Sequence, residues 1–487
     1  MNLRQKAVKG VVWSAMQSWG RQAIALIVFS ILARLVAPEA FGLIALAQVF
    51  LAFTQVFLDQ GFTEAIVQRH DLEPEHLDTA FWINIVIGLL LTVFGIAGAG
   101  VMADLFNQPQ LTPIIRWLSP SFLIFAFSAV QEALFTRNLA FKALTVRTLI
   151  AVVAGGVVGV AMAFVGYGVW SLVGQQLAGG LVQVFVLWWA SDWRPGFKVS
   201  ARHFRELFSF GINVVWMKIL DFINYRADDF LIGYFLGPVA LGYYSIAFRL
   251  FMIMIQLLTN VTNQVATPTF SRLQKETERL RQAFYTVTEL TSFISFPAFL
   301  GVVALAPEIV QVLFGDQWSP SIPVLQLLAV VGIFNSIYYF NATIIIAMGK
   351  PFWKVMLNLM NVVATVLFFA IAVRWGIVAV AAACVLRFYL LAPIELGMVK
   401  KLINISIPRY LRQCIAPLTG SLLIVVTVLV IKQLLSSFVN VYVLLTVCIV
   451  ISPVVYALTI FLIAPNLFRQ VFDLVQLISP GKPKKET

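Results

Sequence analysis

Residues 38–62 read PEAFGLIALAQVFLAFTQVFLDQGF, an apolar run that opens with Pro38 and carries only two charged residues, Glu39 and Asp59. A membrane-spanning α-helix needs about 20 consecutive apolar residues, because the hydrocarbon core of a bilayer is about 30 Å thick. A proline at the start of a helix removes no hydrogen bond that the helix needs. The stretch therefore predicts a transmembrane helix that begins near residue 40.

The rest of the chain has the same character. Of its 487 residues, 60% are hydrophobic and 11% are charged, whereas soluble domains carry about 25% charged residues. This composition excludes a soluble enzyme and a nucleic-acid-binding protein, and it predicts an all-α integral membrane protein with about 14 transmembrane helices. We place these helices at 11–36, 40–62, 79–104, 111–136, 145–165, 168–190, 208–236, 240–270, 285–314, 321–347, 353–373, 376–399, 413–435 and 439–464.

The connections between the predicted helices alternate in charge. Most of the 34 lysines and arginines lie in the N-terminal segment, in the C-terminal tail and in the connections that follow even-numbered helices. The connections that follow odd-numbered helices are short and nearly lack basic residues. By the positive-inside rule we expect a multi-pass protein with both termini in the cytoplasm.

An internal repeat is visible when the chain is shifted by 200 residues. Pro38-x-Ala40-x-Gly42 recurs as Pro238-x-Ala240-x-Gly242, each time in a tight turn that opens an even-numbered helix. Because an even number of helices separates the copies, both must have the same orientation in the membrane. The pattern predicts two parallel six-helix lobes, 1–200 and 201–410, followed by two additional helices and a basic cytoplasmic tail in 411–487. Such repeats are typical of transporters that work by alternating access.

The seventh predicted helix carries the densest group of charges. Residues 218–233 read KILDFINYRADDFLIG, and each charge inside a span costs at least about 2.5 to 3.5 kcal/mol on insertion scales. At 100° per residue, one face collects Lys218, Asp221, Tyr225, Arg226, Asp228 and Asp229. This face either lines a water-filled cavity that binds an anion or joins the helix to its neighbours. The second interpretation has support because Lys218 with Asp221, and Arg226 with Asp229, are i,i+3 pairs.

Polar stripes also mark other predicted helices. Arg21 shares a face with Ser14, Gln17 and Ser18 on the first helix, Asp59 follows Gln48 and Gln55 on the second, and Arg249 and Gln256 share a face with Ser245, Asn260 and Asn263 on the eighth. The candidate substrate-binding residues are Arg21, Lys218, Tyr225, Arg226, Arg249, Gln256 and Arg387, and the candidate coupling-ion residues are Asp59, Asp221, Asp228 and Asp229. Hydrogen bonds between helices are the alternative role of the amides and hydroxyls. Four further basic residues, Arg34, Arg116, Arg374 and Lys432, lie near predicted outer ends, where we expect them to reach the headgroups.

Sequence motifs for catalysis or metal binding are missing. The chain has no G-x-x-x-x-G-K-[ST] phosphate loop. Its three cysteines, Cys384, Cys414 and Cys448, lie in apolar runs and are expected to serve packing, and its histidines, His70, His76 and His203, lack metal-ligand spacing. We therefore expect no catalytic residue, metal or cofactor, and we do not expect an enzyme.

The sequence resembles a known family over essentially its whole length. The resemblance rests on Gly10-Val11-Val12-Trp13, on residues 35–42 (LVAPEAFG) and most specifically on residues 228–244 (DDFLIGYFLGPVALGYY). These segments resemble the polysaccharide transporters of the multidrug/oligosaccharidyl-lipid/polysaccharide exporter superfamily, namely the Wzx-like flippases and their colanic-acid-exporter-like branch.

The resemblance implies a flippase of the bacterial inner membrane that moves undecaprenyl-diphosphate-linked oligosaccharide units by ion-gradient-driven alternating access. It implies as partners the lipid-linked oligosaccharide, the membrane lipids, and the glycan polymerase and chain-length or export machinery of lipopolysaccharide or exopolysaccharide synthesis, with no nucleic acid. The alternatives are a multidrug-type cation antiporter and, in other classes, a membrane glycosyltransferase or glycan ligase, or a structural scaffold of a glycan assembly complex.

Overall fold

The computed structural model describes residues 20–58, 61–69, 71–138 and 140–478, with side chains described except at 141, 206–214, 217, 259–265, 267–269 and 472–478. In these ranges the regular structure is helical throughout, as predicted. The α-helices are α1 (20–35), α2 (Pro38–Leu58), α3 (Phe62–Gln68), α4 (Pro74–Leu105), α5 (Leu111–Leu118), α6 (Ser121–Arg137), α7 (Phe141–Phe164), α8 (Val169–Ala190), α9 (Ala201–Arg272), α10 (Thr277–Leu313), α11 (Ile322–Tyr338), α12 (Asn341–Ala347), α13 (Pro351–Ala372), α14 (Ile377–Ile403), α15 (Ile407–Leu435), α16 (Val441–Ile463) and α17 (Pro465–Ile478). Two 3₁₀ turns, Asp316–Ser321 and Val373–Trp375, precede α11 and α14.

Twelve segments among the described residues are long and apolar enough to cross a membrane. The all-α membrane fold is thus confirmed, and the protein is a multi-pass membrane protein. The longest of these segments, Lys218–Leu258, is divided at Gly237, whose φ of 81° and ψ of 178° are not helical. Glycine adopts a positive φ without steric cost, and Pro238 follows it, so the predicted seventh and eighth helices meet at this point. The predicted first helix is described only from residue 20 onward.

The two copies of the repeated motif contact each other. A β-carbon at Gly42 would overlap the main-chain carbonyl oxygen of Pro238, and a β-carbon at Gly242 would overlap that of Pro38. The start of α2 and the part of α9 that follows Gly237 therefore approach as closely as two backbones can. The division of the chain into six-helix lobes at residues 200 and 410 stays a prediction.

One compact unit consists of Gly20–Ser245 and Asn361–Val380. In it α7 lies along α8, and α4 packs against α5 and α6. The connection before α9 is fixed to α4 by three hydrogen bonds: Gly196 N to Asp78 Oδ1 (2.9 Å), Ser200 N to Thr79 Oγ1 (3.1 Å) and Trp82 Nε1 to the Gly196 oxygen (2.7 Å). These contacts fix the start of the helix that carries the dense polar face.

The other compact unit includes Ile246–Met360 and the described residues from Ala381 onward. Here α10 packs against α11, α15 and α16. The start of α15 is anchored by Tyr410, whose ring stacks on Phe284 with the centroids 5.5 Å apart and whose hydroxyl donates to the Ile337 carbonyl oxygen at 2.6 Å. Buried aromatic rings such as these contribute large apolar areas to the core.

Candidate functional site

The charged face of the seventh predicted helix lies on the part of α9 that precedes Gly237. At its first end, Lys218 Nζ lies 3.3 Å from Glu64 Oε1 of α3. Both side chains are partly exposed, at 28% and 40%. Lys218 thus has a carboxylate partner on a different helix, 154 residues earlier in the chain.

At its other end, the face forms a buried network. Arg226 donates to Asp229 Oδ2 at 2.8 Å, which is the predicted i,i+3 pair. Asp228 accepts hydrogen bonds from the Tyr244 hydroxyl at 2.8 Å and from the Asp229 main-chain N–H at 3.0 Å. Asp228 and Asp229 are 4% and 5% exposed, so one guanidinium partly neutralises two carboxylates that have little contact with solvent. This arrangement supports a structural role for the pair beside any role in binding.

The middle of the face includes side chains that are exposed. Asp221 and Tyr225 are exposed, and Arg226 is half-buried. Between them Asn224 accepts a hydrogen bond from Thr365 Oγ1 of α13 at 3.2 Å. The face therefore offers exposed polar groups beside a buried charged network, and it holds α13 through a hydrogen bond.

The remaining candidates lie elsewhere. Arg21 is half-buried on α1, in the same compact unit as the charged face, whereas Arg249, Gln256 and Arg387 belong to the other unit. Arg249 and Gln256 are exposed. Arg387 is 8% exposed. Its guanidinium lies 4.0 Å from Cys384 Sγ and 4.9 Å from the centre of the Phe388 ring, both of which belong to the same helix, α14. Asp59, Ser14, Gln17 and Ser18 lie outside the described residues, as do the side chains of Asn260 and Asn263.

Lys432, which is expected to reach the headgroups, has a partner that the sequence does not indicate. Its Nζ lies 2.8 Å from Glu308 Oε1 and 3.2 Å from the Ala304 carbonyl oxygen, both on α10. The Glu308 side chain is 10% exposed. A buried carboxylate without a cation would be costly, and Lys432 serves as that cation.

Two further groups were missed by the sequence analysis. Arg147 of α7 is buried and pairs with Glu132 of α6 at 3.1 Å. Near the start of α4, the rings of His76 and His203 lie 4.2 Å apart, and His203 Nε2 lies 3.2 Å from Glu73 Oε2.

The His76 and His203 pair bears on the expectation that no metal is bound. Glu73, His76 and His203 offer ligand atoms within 4.8 Å of one another and could hold a metal ion. His76 Nδ1, however, accepts the Glu73 main-chain N–H at 3.2 Å and thereby caps α4, so the group already has a structural role. The two histidines are far apart in sequence, and no motif links them.

Comparison with known proteins places the chain among proteins of glycan synthesis. Over 343 residues, or 69% of each chain, it is 29% identical to the lipopolysaccharide biosynthesis protein WzxC of Escherichia coli (strain K12). It is 30% identical over 321 residues to the succinoglycan biosynthesis transport protein ExoT of Rhizobium meliloti (strain 1021), covering 66% of this chain and 65% of that protein.

Solved structures show the same fold. The lipid II flippase MurJ in an inward closed conformation matches 94% of this chain and 99% of its own, with a TM-score of 0.75 and 15% identity. An inward-facing multidrug transporter of the MATE family matches 80% of this chain and 98% of its own, with a TM-score of 0.63 and 16% identity. The family model described as polysaccharide biosynthesis protein matches residues 31–323, and the chain therefore belongs to the family of polysaccharide biosynthesis proteins, as the resemblance implies.

Proposed function

We propose that this protein is a flippase that moves undecaprenyl-diphosphate-linked oligosaccharides across the bacterial inner membrane by alternating access. The family match over residues 31–323 carries this proposal. The similarity to the transport protein ExoT and to the lipid II flippase MurJ supports it. The diphosphate is the group that is hardest to bring through hydrocarbon, and cations inside the spans are suited to bind it.

Among the candidate cations, we assign the main role to Arg249 and Arg21. Arg249 is exposed and Arg21 is half-buried, so a diphosphate can approach them. A diphosphate that binds Lys218 or Arg226 must compete with the carboxylates of Glu64 and Asp229. Tyr225 and Gln256 are exposed and are suited to bind sugar hydroxyls.

Arg387 has a lesser part in this proposal. It is buried against its own helix, so a ligand reaches it only after a rearrangement of α14.

The competition at Arg226 offers a route to ion coupling. When a diphosphate binds the guanidinium of Arg226, the buried carboxylate of Asp229 loses its cationic partner. A carboxylate in that position is stabilised by taking up a proton or a cation. Asp228 and Asp229 are therefore the coupling residues that we propose first, and Asp221, which is exposed, and Asp59 are further candidates.

The proposed topology places both termini in the cytoplasm, because the basic connections then lie on the cytoplasmic side. The flipped glycolipid would be delivered to the outer leaflet, where a glycan polymerase and the chain-length or export machinery consume it. In this scheme the protein forms and breaks no covalent bond.

The test measures the orientation of the strain's own lipid-linked oligosaccharide in sealed inverted vesicles, through its accessibility to a membrane-impermeant sugar oxidant. We expect the glycolipid to be accessible in a deletion strain and protected when the wild-type chain is restored. Arg249→Ala should lower the protected fraction at least tenfold, whereas Arg374→Ala, which changes an exposed arginine at the end of another span, should leave it unchanged. Equal protection in the deletion strain would contradict the proposal.

The second candidate is a multidrug-type antiporter, which the fold shared with a MATE transporter favours. It predicts efflux of cationic drugs by the wild-type chain and no change in glycolipid orientation on deletion. Drug accumulation measured in the same strains separates the two functions.

A further inference from the structure

The unit that contains α10, α15 and α16 holds a cavity of about 620 Å³ beside the start of α15. Its walls come from α10, from the first turns of α15 and from Ala464, the residue that follows α16. The candidate spans Ile407–Leu435 and Val441–Ile463 begin and end here. Because the ends of these spans mark a membrane boundary, we place the cavity at the level of the lipid headgroups, and none of the residues that line it belongs to α9.

Groups of both charges line this cavity. Arg409 and Arg412 provide two guanidinium groups, and Glu289 of α10 provides a half-buried carboxylate. The fourth polar residue is Gln413, whose Oε1 is shielded from solvent and accepts no hydrogen bond from the described side chains or backbone. Because buried acceptors in proteins are almost always satisfied, the cavity suits a ligand that brings both an anion and an N–H donor.

We propose that this cavity binds the headgroup of phosphatidylethanolamine. The phosphodiester would lie against Arg412 and Arg409, since guanidinium groups form strong charge-assisted hydrogen bonds with phosphate oxygens. The primary ammonium carries three N–H donors, which can serve the Glu289 carboxylate and the Gln413 oxygen. The exposed apolar side chains of Ile415 and Leu422 on α15 leave a path for the acyl chains in the bilayer.

The same chemistry discriminates among lipids. A choline headgroup has a quaternary nitrogen without any N–H, so it leaves the Gln413 oxygen unsatisfied. A phosphatidylglycerol headgroup has no cation for Glu289, so that carboxylate lacks the ion pair that the ammonium of phosphatidylethanolamine provides. The two oxygen acceptors therefore select the ethanolamine headgroup, and the two arginines alone would not.

The cavity is built on a fixed frame. Arg409 donates to Gln282 Oε1 at 3.2 Å and lies over the Tyr285 ring, 5.1 Å from its centre. The Tyr285 hydroxyl in turn accepts the Ser406 main-chain N–H at 2.7 Å, just before α15 begins. Since Arg412 takes no part in these contacts, its replacement tests binding with little disturbance of the frame.

The test titrates the purified, delipidated full-length protein with phosphatidylethanolamine, phosphatidylcholine and phosphatidylglycerol of identical acyl chains, and counts bound lipids by native mass spectrometry. We expect at least fivefold tighter binding of phosphatidylethanolamine than of the other two. Glu289→Gln should reduce that preference below twofold, and Arg412→Ala should weaken binding of all three. Equal binding of the three lipids to the wild-type chain would overturn the proposal.

A matched control is Arg279→Ala, which removes a 75% exposed arginine of α10 that pairs with Glu276 and does not line the cavity. It should bind like the wild type, and circular dichroism should show the same helicity for every variant. Titration with inorganic phosphate separates a lipid site from a free-anion site. If inorganic phosphate alone stabilises the protein against unfolding as much as phosphatidylethanolamine does, the lipid assignment is contradicted.

Discussion

Gly42 lies directly against the main-chain carbonyl of Pro238, and Gly242 lies in the same way against Pro38. The two contacts are made by corresponding residues of the repeated motif with their roles exchanged. When two equivalent segments are related by a two-fold axis, each contact between them is matched by a second contact in which the two residues have exchanged roles. The relationship gives the repeat a physical meaning, since the glycine of each copy is the residue that admits the proline carbonyl of the other.

The first prediction concerns this close approach. Gly42→Ala or Gly242→Ala should destabilise the protein by roughly 1–3 kcal/mol, because a backbone oxygen cannot yield as a flexible side chain does. Thermal unfolding of the purified protein in detergent measures the effect as a lower Tm. Gly301→Ala on α10 is the control, since no atom lies within 4 Å of its added β-carbon. If the three variants and the wild type have the same Tm, the prediction of a close backbone contact is wrong.

The second prediction concerns the ion pair between α10 and α15. Lys432→Met should destabilise the protein by about 3 kcal/mol, because Glu308 is then left buried without its cation. The double variant Lys432→Met/Glu308→Gln should recover most of the lost stability, since no charge remains buried. Thermal unfolding of the two single variants and the double variant forms a complete cycle. A double variant that is no more stable than Lys432→Met would show that the pair is not coupled.

The sequence predicts the fold well because hydropathy alone reports where helices cross a membrane. It also predicts the pair of Arg226 and Asp229, since residues three apart on a helix are neighbours wherever the helix lies. The partners of Lys218 and Lys432 could not be predicted in this way. Glu64 and Glu308 lie on other helices, far along the chain, and only the packing of those helices brings the charges together.

The third prediction concerns Tyr244, which is fully buried and donates to Asp228 Oδ2 at 2.8 Å. Tyr244→Phe should destabilise the protein by about 2 kcal/mol, because the buried carboxylate loses a charge-assisted hydrogen bond while the ring is kept. Tyr442→Phe, at a tyrosine that is 55% exposed, should have little effect. The comparison of the two melting temperatures tests the bond, and similar values would indicate that Asp228 does not depend on Tyr244.

The last prediction separates the structural role of Arg226 from its proposed role in binding. Arg226→Gln should lower the Tm, because the Asp229 side chain, only 7% exposed, is left without its cation. The double variant Arg226→Gln/Asp229→Asn removes both charges, keeps side chains of similar shape and should restore the Tm.

Glycolipid orientation in inverted vesicles then tests whether the pair has a role in transport. If Arg226 engages the diphosphate or Asp229 couples transport to an ion, the double variant stays at least tenfold less active than the wild type although it is folded, and Asp229→Asn alone separates the two roles. Wild-type flipping by the double variant would assign Arg226 to the architecture of α9 alone. The cationic site would then rest on Arg249, which is exposed, and on Arg21, which is half-buried.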